Sequence, residues 1–222
     1  MGEGKGEGEY VYSIMRPLTT FASKLNNREE RNMKVVGING SPRKDGNTSI
    51  LINLVLSELE KEGIETELVQ LSGKTIRGCI ACYRCFENRD QRCSVKDDFA
   101  NDCIERMIGA DGIILGSPTY FSDVTAEMKA LIDRAGFVSR ANGNLYTKKV
   151  GLAVVVMRRS GAFHALDTMN HFLLGAEMIV PGRGIAVGRD KGDVEKDEEG
   201  VQLVKGLGQR VAWLLKKLDQ KI

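Results

Sequence analysis

The sequence predicts an α/β fold, a single sheet of five parallel strands with helices on both faces. Three observations carry this prediction. Between Met33 and Leu218, short apolar runs alternate five times with stretches of helical periodicity. The first run, KVVGIN, is apolar from Val35 to Ile38 rather than alternating, as a strand buried on both faces should be. Two of the runs, the first and the third, lead into Gly-Ser-Pro, which breaks a strand and starts a loop.

The elements follow in order. Lys34–Asn39 is the first strand. Thr48–Glu62 is a helix with Ile50, Leu51, Leu54, Val55 and Leu59 on its apolar face, ended by Gly63. Glu65–Leu71 alternates polar and apolar residues and reads as the second strand. Residues from about 75 to 95 show neither strand nor helix periodicity and read as a loop insertion. Asp97–Ile108 is a helix with Phe99, Cys103 and Met107 on one face. Gly112–Gly116 is the third strand and Val124–Val138 the helix after it. Val150–Met157 is the fourth strand, followed by a helix over Ala162–Leu174. A fifth strand is expected around Met178–Val180, and Glu198–Leu218 is the closing amphipathic helix. Such alternation implies right-handed crossovers.

At 222 residues the chain can build one α/β domain with a proper core. Its 32 basic and 30 acidic residues nearly balance, which argues against nucleic acid or a membrane surface as a global partner. No apolar stretch approaches a membrane span, and the N-terminus lacks the apolar core of a secretory signal. Its acid-poor part from Tyr10 to Arg28 suggests a transit peptide only faintly. The expected compartment is therefore the cytoplasm, where clustered cysteines point to metal or redox chemistry rather than disulfides. Residues 1–32, with Gly2, Gly4, Gly6 and Gly8 alternating with charged residues, read as a disordered extension. The folded domain is expected over residues 33–222, and Met33 is a candidate start site.

Two loops carry candidate binding residues. After the first strand, GSPRKDGNT runs directly into a helix, whose N-terminus offers unpaired N–H groups and a positive dipole end. Ser41, Arg43, Asn47 and Thr48 add donors and charge. The stretch matches neither G-x-G-x-x-G nor a Walker loop, which favours a lone phosphomonoester over a pyrophosphate or triphosphate. An ordinary turn with an Asn or Thr cap is the alternative. After the third strand, Pro118, Thr119, Tyr120 and Phe121 suit a flat ring that needs a stacking wall, or else merely cover the end of the sheet. With strand order 2-1-3-4-5, both loops flank the crevice at the topological switch point, where ligands bind.

Four of the five cysteines lie in CIACYRCFENRDQRC, from Cys79 to Cys93, spaced C-x2-C-x2-C-x7-C. Structural zinc usually takes two well-separated pairs, so this spacing fits zinc poorly. It resembles the C-x2-C-x2-C core of ferredoxin clusters, although there the fourth cysteine precedes a proline and here Cys93 precedes Ser94. No bound metal is the remaining alternative. Arg77, Arg84, Arg89 and Arg92 surround the thiols and would offset a cluster's negative charge or dock an acidic ferredoxin, or form a solvated loop. Cys103 reads as a core residue. His164 and His171 read as packing or surface residues with no acid–base constellation, leaving no catalytic side chain assigned. Gly192–Gly200 reads as a solvated helix start.

GSPRKDGNT and GSPTYFSDVTAEMKALIDR resemble the NAD(P)H-dependent FMN reductase group of the flavodoxin-like superfamily. With the cysteine stretch between them, the chain is similar to the iron–sulfur flavoproteins of archaea and anaerobic bacteria, from Met33 to about Leu218. The resemblance implies a flavodoxin-like three-layer sandwich. It implies FMN, with its phosphate on Ser41, Arg43, Asn47 and Thr48 and its ring against Pro118, Thr119, Tyr120 and Phe121. A third contact is implied at the loop after the fourth strand, with Arg159 and Gly161, where relatives often carry more glycine. It also implies one [4Fe–4S] cluster on Cys79, Cys82, Cys85 and Cys93. Ferredoxin or NAD(P)H is the implied donor, a small molecule such as a quinone the acceptor, and a homodimer or homotetramer the assembly. Two other functions stay open: a cluster-free NAD(P)H-dependent FMN or quinone reductase, and a non-catalytic flavodoxin-like carrier. Near-neutral charge speaks against the carrier.

Overall fold

β1 (Lys34–Asn39) is buried from Val35 onward and pairs in parallel with β2 (Glu65–Gln70) on one side and β3 (Gly112–Pro118) on the other. The computed structural model describes residues 32–220. The glycine-rich extension expected before Met33 lies outside the described residues. From Met33 onward the chain forms one compact unit. β4 (Val150–Met157) joins β3, and β5 (Arg183–Val187) joins β4, so the all-parallel order is β2-β1-β3-β4-β5 as expected.

Two layers of helix cover the sheet. On one face α1 (Asn47–Lys61) and α6 (Glu198–Asp219) bury Leu51, Ile52, Val55, Val204, Leu207 and Val211 against Val35, Ile114, Leu152 and Val154. On the other, α3 (Ala100–Gly109), α4 (Ala126–Ala141) and α5 (Ala162–Gly175) bury Cys103, Met107, Met128, Leu131, Leu166 and Met169 against Val36, Ile38, Ile113 and Val155. Burying apolar surface on both faces at about 25 cal/mol per Å² is what stabilises such a sandwich. Among the described residues, no helix is long and apolar enough to cross a membrane.

The fifth strand lies elsewhere than expected. Met178–Val180 pairs with β4 through an isolated bridge between Ile179 and Val150, and the strand proper is Arg183–Val187. Pro181, which has no N–H to donate, ends the earlier run. The true strand alternates exposed and buried residues because it is the sheet's edge. The cysteine stretch also departs from a plain loop, since it holds a short helix, α2 (Arg84–Asn88). α3 starts only at Ala100, leaving Asp97 and Asp98 in the loop before it. A 3-10 turn over Asp193–Lys196 precedes α6, whose N-cap Asp197 accepts from the Gly200 N–H.

Candidate functional site

The two predicted loops meet at the C-terminal ends of β1 and β3. The Gly40 N–H donates to Gly116 O at 2.8 Å, and Thr125 Oγ1 donates to Gly40 O at 2.8 Å while its N–H donates to Ser117 Oγ. Thr125 also caps α4 by accepting from the Met128 N–H, so one side chain fixes both loops and the helix start. Gly116 lets α1 lie close against the end of β3, because a Cβ there would stand 2.5 Å from Ile52 Cδ1 on α1.

In the first loop Ser41 is buried, its N–H bonded to Asn39 Oδ1 and its Oγ accepting from the Arg43 N–H at 3.1 Å. α1 begins after Gly46 with no side-chain cap, so its first N–H groups keep their anion-binding character. Thr48 is buried at this helix start. Asn47 is buried too, but both ends of its amide are engaged: Nδ2 donates to Asp190 O and Oδ1 accepts from the Gly192 N–H, each at 2.8 Å. Arg43 is exposed, and its Nη1 donates to Arg189 O at 3.4 Å.

In the second loop Pro118 is the last residue of β3, and the Thr119 N–H donates to Val156 O. Tyr120 and Asp123 exchange backbone bonds across a tight turn, which forces Phe121 and Ser122 into left-handed conformation at φ 45° and 67°. Such strain in non-glycine residues is a feature of binding loops. Phe121 is fully exposed and Tyr120 about half exposed, while Thr119 Oγ1 is buried without a hydrogen-bond partner. The third predicted loop packs directly on this one. Gly161 has φ 86°, and a Cβ there would stand 2.8 Å from both Ser122 Cα and Thr119 Cγ2. Arg159 points to solvent. The three loops thus stand at the C-terminal ends of β1, β3 and β4, with a buried donor-rich helix start on the first and a bare aromatic on the second, residue chemistry that suits a phosphorylated flat ring.

The four clustered cysteines line one cavity, together with Arg134 and Phe137 of α4. Cys79 and Cys82 are exposed, Cys85 and Cys93 half-buried. The loop is held in an unusual shape: Ala81, Tyr83, Arg89 and Gln91 all have positive φ, between 49° and 62°. Asn101 pins the fourth cysteine, accepting from the Cys93 N–H at 2.7 Å and donating to Cys93 O at 2.9 Å. Among the described residues, no three His, Cys, Asp or Glu side chains stand close enough to hold one metal ion. The thiols face a shared space without closing on a point. Four thiolates are the donor number of a [4Fe–4S] cluster, each of whose irons takes one.

Local chemistry separates the thiols. A hydrogen bond with Ser94 Oγ at 3.2 Å, aided by the backbone and charge of Arg84, holds Cys82 below the ordinary thiol range. Burial pushes Cys85 up, and it pushes Cys103, wholly buried in the core as expected, up to about 12. In the metal-free protein at about pH 8, an alkylating reagent should label Cys82 first, and Cys103 only on unfolding. Peptide mass spectrometry over a time course checks the order, and early labelling of Cys103 would contradict it.

The predicted arginine ring is mostly turned away. Arg77 pairs with Asp97, Arg92 with Glu105 at 3.1 Å, and Arg89 bonds to Phe86 O. The cations near the thiols are Arg84 and Arg134. Neither Arg134, Asp98 nor Asn101 was foreseen from the sequence. For Arg134 the signal was present, since it interrupts the apolar stripe formed by Met128, Leu131, Ala135 and Val138 on α4. His164 and His171 are exposed, with His164 Nε2 3.5 Å from Asp123.

A doubly covered parallel sheet of this order, with two loops meeting at its switch point, defines a flavodoxin-like fold. Residues 33–192 match the family described as NADPH-dependent FMN reductase, and the chain belongs to that family, in its iron–sulfur flavoprotein group. It is 39% identical to an iron–sulfur flavoprotein of Methanocaldococcus jannaschii over 85% of this chain and 100% of that one. It is 33% identical to an iron–sulfur flavoprotein of Methanosarcina thermophila, over 85% of this chain and 98% of that one. Among solved structures, RosB with a bound formylriboflavin phosphate intermediate shares the fold at TM-score 0.70 and 19% identity, covering 84% of this chain and 80% of its own. An NAD(P)H:quinone oxidoreductase from Methanothermobacter marburgensis does so at TM-score 0.62 and 14% identity, covering 82% of this chain and all of its own.

Proposed function

We propose that this oxidoreductase couples FMN to a [4Fe–4S] cluster on Cys79, Cys82, Cys85 and Cys93, exchanging electrons with ferredoxin or NAD(P)H and with small acceptors. The observation that carries the proposal is the strained loop that turns four thiols toward one cavity and pins Cys93 by its backbone. When bound, FMN takes up a hydride or single electrons and the cluster passes one electron at a time.

The chain's own residues place and tune these groups. Ser41, Thr48 and the first N–H groups of α1 hold the FMN phosphate, with Arg43 adding charge from the rim. Asn47 serves through its backbone N–H, its side chain being bound to the Asp190–Gly192 turn, which keeps the phosphate loop in place. Pro118, Thr119, Tyr120 and Phe121 wall the ring, and the exposed Phe121 offers it a stacking face. Gly161 and Arg159 border it from the loop after β4.

A second reading, a cluster-free NAD(P)H-dependent FMN or quinone reductase, is favoured by the match of residues 33–192 to the family described as NADPH-dependent FMN reductase. Anaerobic purification and reconstitution, with iron, sulfide and flavin assayed on one sample, separates the two. The expected result is about four irons per flavin with broad absorbance beside the flavin bands. Trace iron, with NAD(P)H oxidation unchanged in Cys82→Ser, would establish the second reading instead.

A further inference from the structure

The cysteine loop is gripped at both ends by one side chain from another element. Arg134 Nη1 donates to Arg77 O at 3.2 Å, two residues before Cys79, and Nη2 donates to Val95 O at 2.8 Å, two residues after Cys93. Its charge partner is Asp98, whose carboxylate also accepts from the Arg77 N–H at 2.9 Å and the Ala100 N–H at 3.2 Å. Both side chains of this pair are wholly buried. Arg134 Nε nonetheless has no hydrogen-bond partner, and Arg134 lines the thiol cavity together with Cys93. A buried guanidinium that leaves a donor unmatched is expensive unless a further acceptor completes it.

We propose that Arg134 is the positioning residue of the cysteine cradle: its planar fork clamps the two stems of the loop, and its free N–H turns a buried positive charge toward the thiolates. Lysine could supply the charge but not the fork that spans both stems. The charge role rests on the cluster reading; the clamp does not. Donors and positive charge beside cluster sulfurs raise its reduction potential, so Arg134 also sets how readily the cradle accepts an electron.

The test compares the full-length wild type with Arg134→Lys and Arg134→Met, all handled anaerobically. In iron-free protein, amide exchange over residues 79–93 should quicken at least about tenfold in both variants, while strands β3 and β4 keep their protection. After reconstitution, Arg134→Met should lose iron relative to flavin, and its residual cluster should titrate at lower potential than the wild type. Arg134→Lys should keep most of the potential. Wild-type exchange rates in Arg134→Lys would overturn the clamp, and that variant carries the test if Arg134→Met does not fold. A wild-type potential in Arg134→Met, or one in Arg134→Lys lowered as far as in Arg134→Met, would overturn the charge role. An iron-free wild type would overturn the cluster reading and the charge role with it, and the exchange rates would then decide the clamp alone.

Discussion

Replacing Asp98 by alanine should lower stability by about 3–5 kcal/mol, because it strands the guanidinium of Arg134 in the interior without its counter-charge. For a domain of this size that corresponds to a fall in melting temperature on the order of 10 °C. The Asp98–Arg134 pair is wholly buried, whereas Arg77–Asp97 and Arg92–Glu105 lie at the surface, where truncation should change stability by less than about 1 kcal/mol. Differential scanning calorimetry of Asp98→Ala beside Glu105→Ala checks the contrast, and equal shifts would refute it. The pH dependence has a defined sign. Burial by itself would raise the carboxyl of Asp98, but Arg134 and the N–H groups of Arg77 and Ala100 outweigh it and hold Asp98 below the usual range. Its stabilisation is therefore full above its unfolded pKa and is lost as pH falls through the lower folded value. Asp98→Asn should be less stable at neutral pH and show a flatter loss on acidification than the wild type.

Gly161→Ala should weaken FMN binding by roughly tenfold to a hundredfold while leaving the fold intact. A left-handed φ of 86° is strained for alanine, and the new methyl would press on Ser122 Cα and Thr119 Cγ2, the backbone and side chain that shape the ring loop. Such strain is worth about 1–3 kcal/mol, and in a loop it is relieved by displacing the loop rather than by unfolding the sheet. Fluorescence titration of apoprotein with FMN measures the loss, and circular dichroism reports the fold. Wild-type affinity in this variant would place the ring elsewhere than the crevice between these loops.

How far the sequence reached differs from element to element, for physical reasons. β1 and β4 lie where the apolar runs put them, because a strand covered on both faces must be apolar throughout and turn residues bound it sharply. The fifth strand was misplaced because an edge strand is covered on one side only, so RGIAV carries a weaker apolar signal than Met178–Val180. The phosphate loop was legible as a donor-rich stretch at a helix start. That Asn47 directs its amide to the Asp190–Gly192 turn was not, since the two segments are more than 140 residues apart in the chain.

The cysteine stretch shows the same division. Sequence alone determined that four thiols lie close together on an irregular insertion in a parallel α/β domain, because spacing and periodicity are properties of neighbouring residues. Which arginine faces them was decided by the tertiary structure. The nearby Arg77 and Arg92 find carboxylates at the surface, while Arg134, 41 residues beyond Cys93, is carried beneath the loop by α4. Burial explains the difference: a guanidinium in water is drawn to any adjacent acid, but one enclosed by the fold must take the partners that packing brings to it.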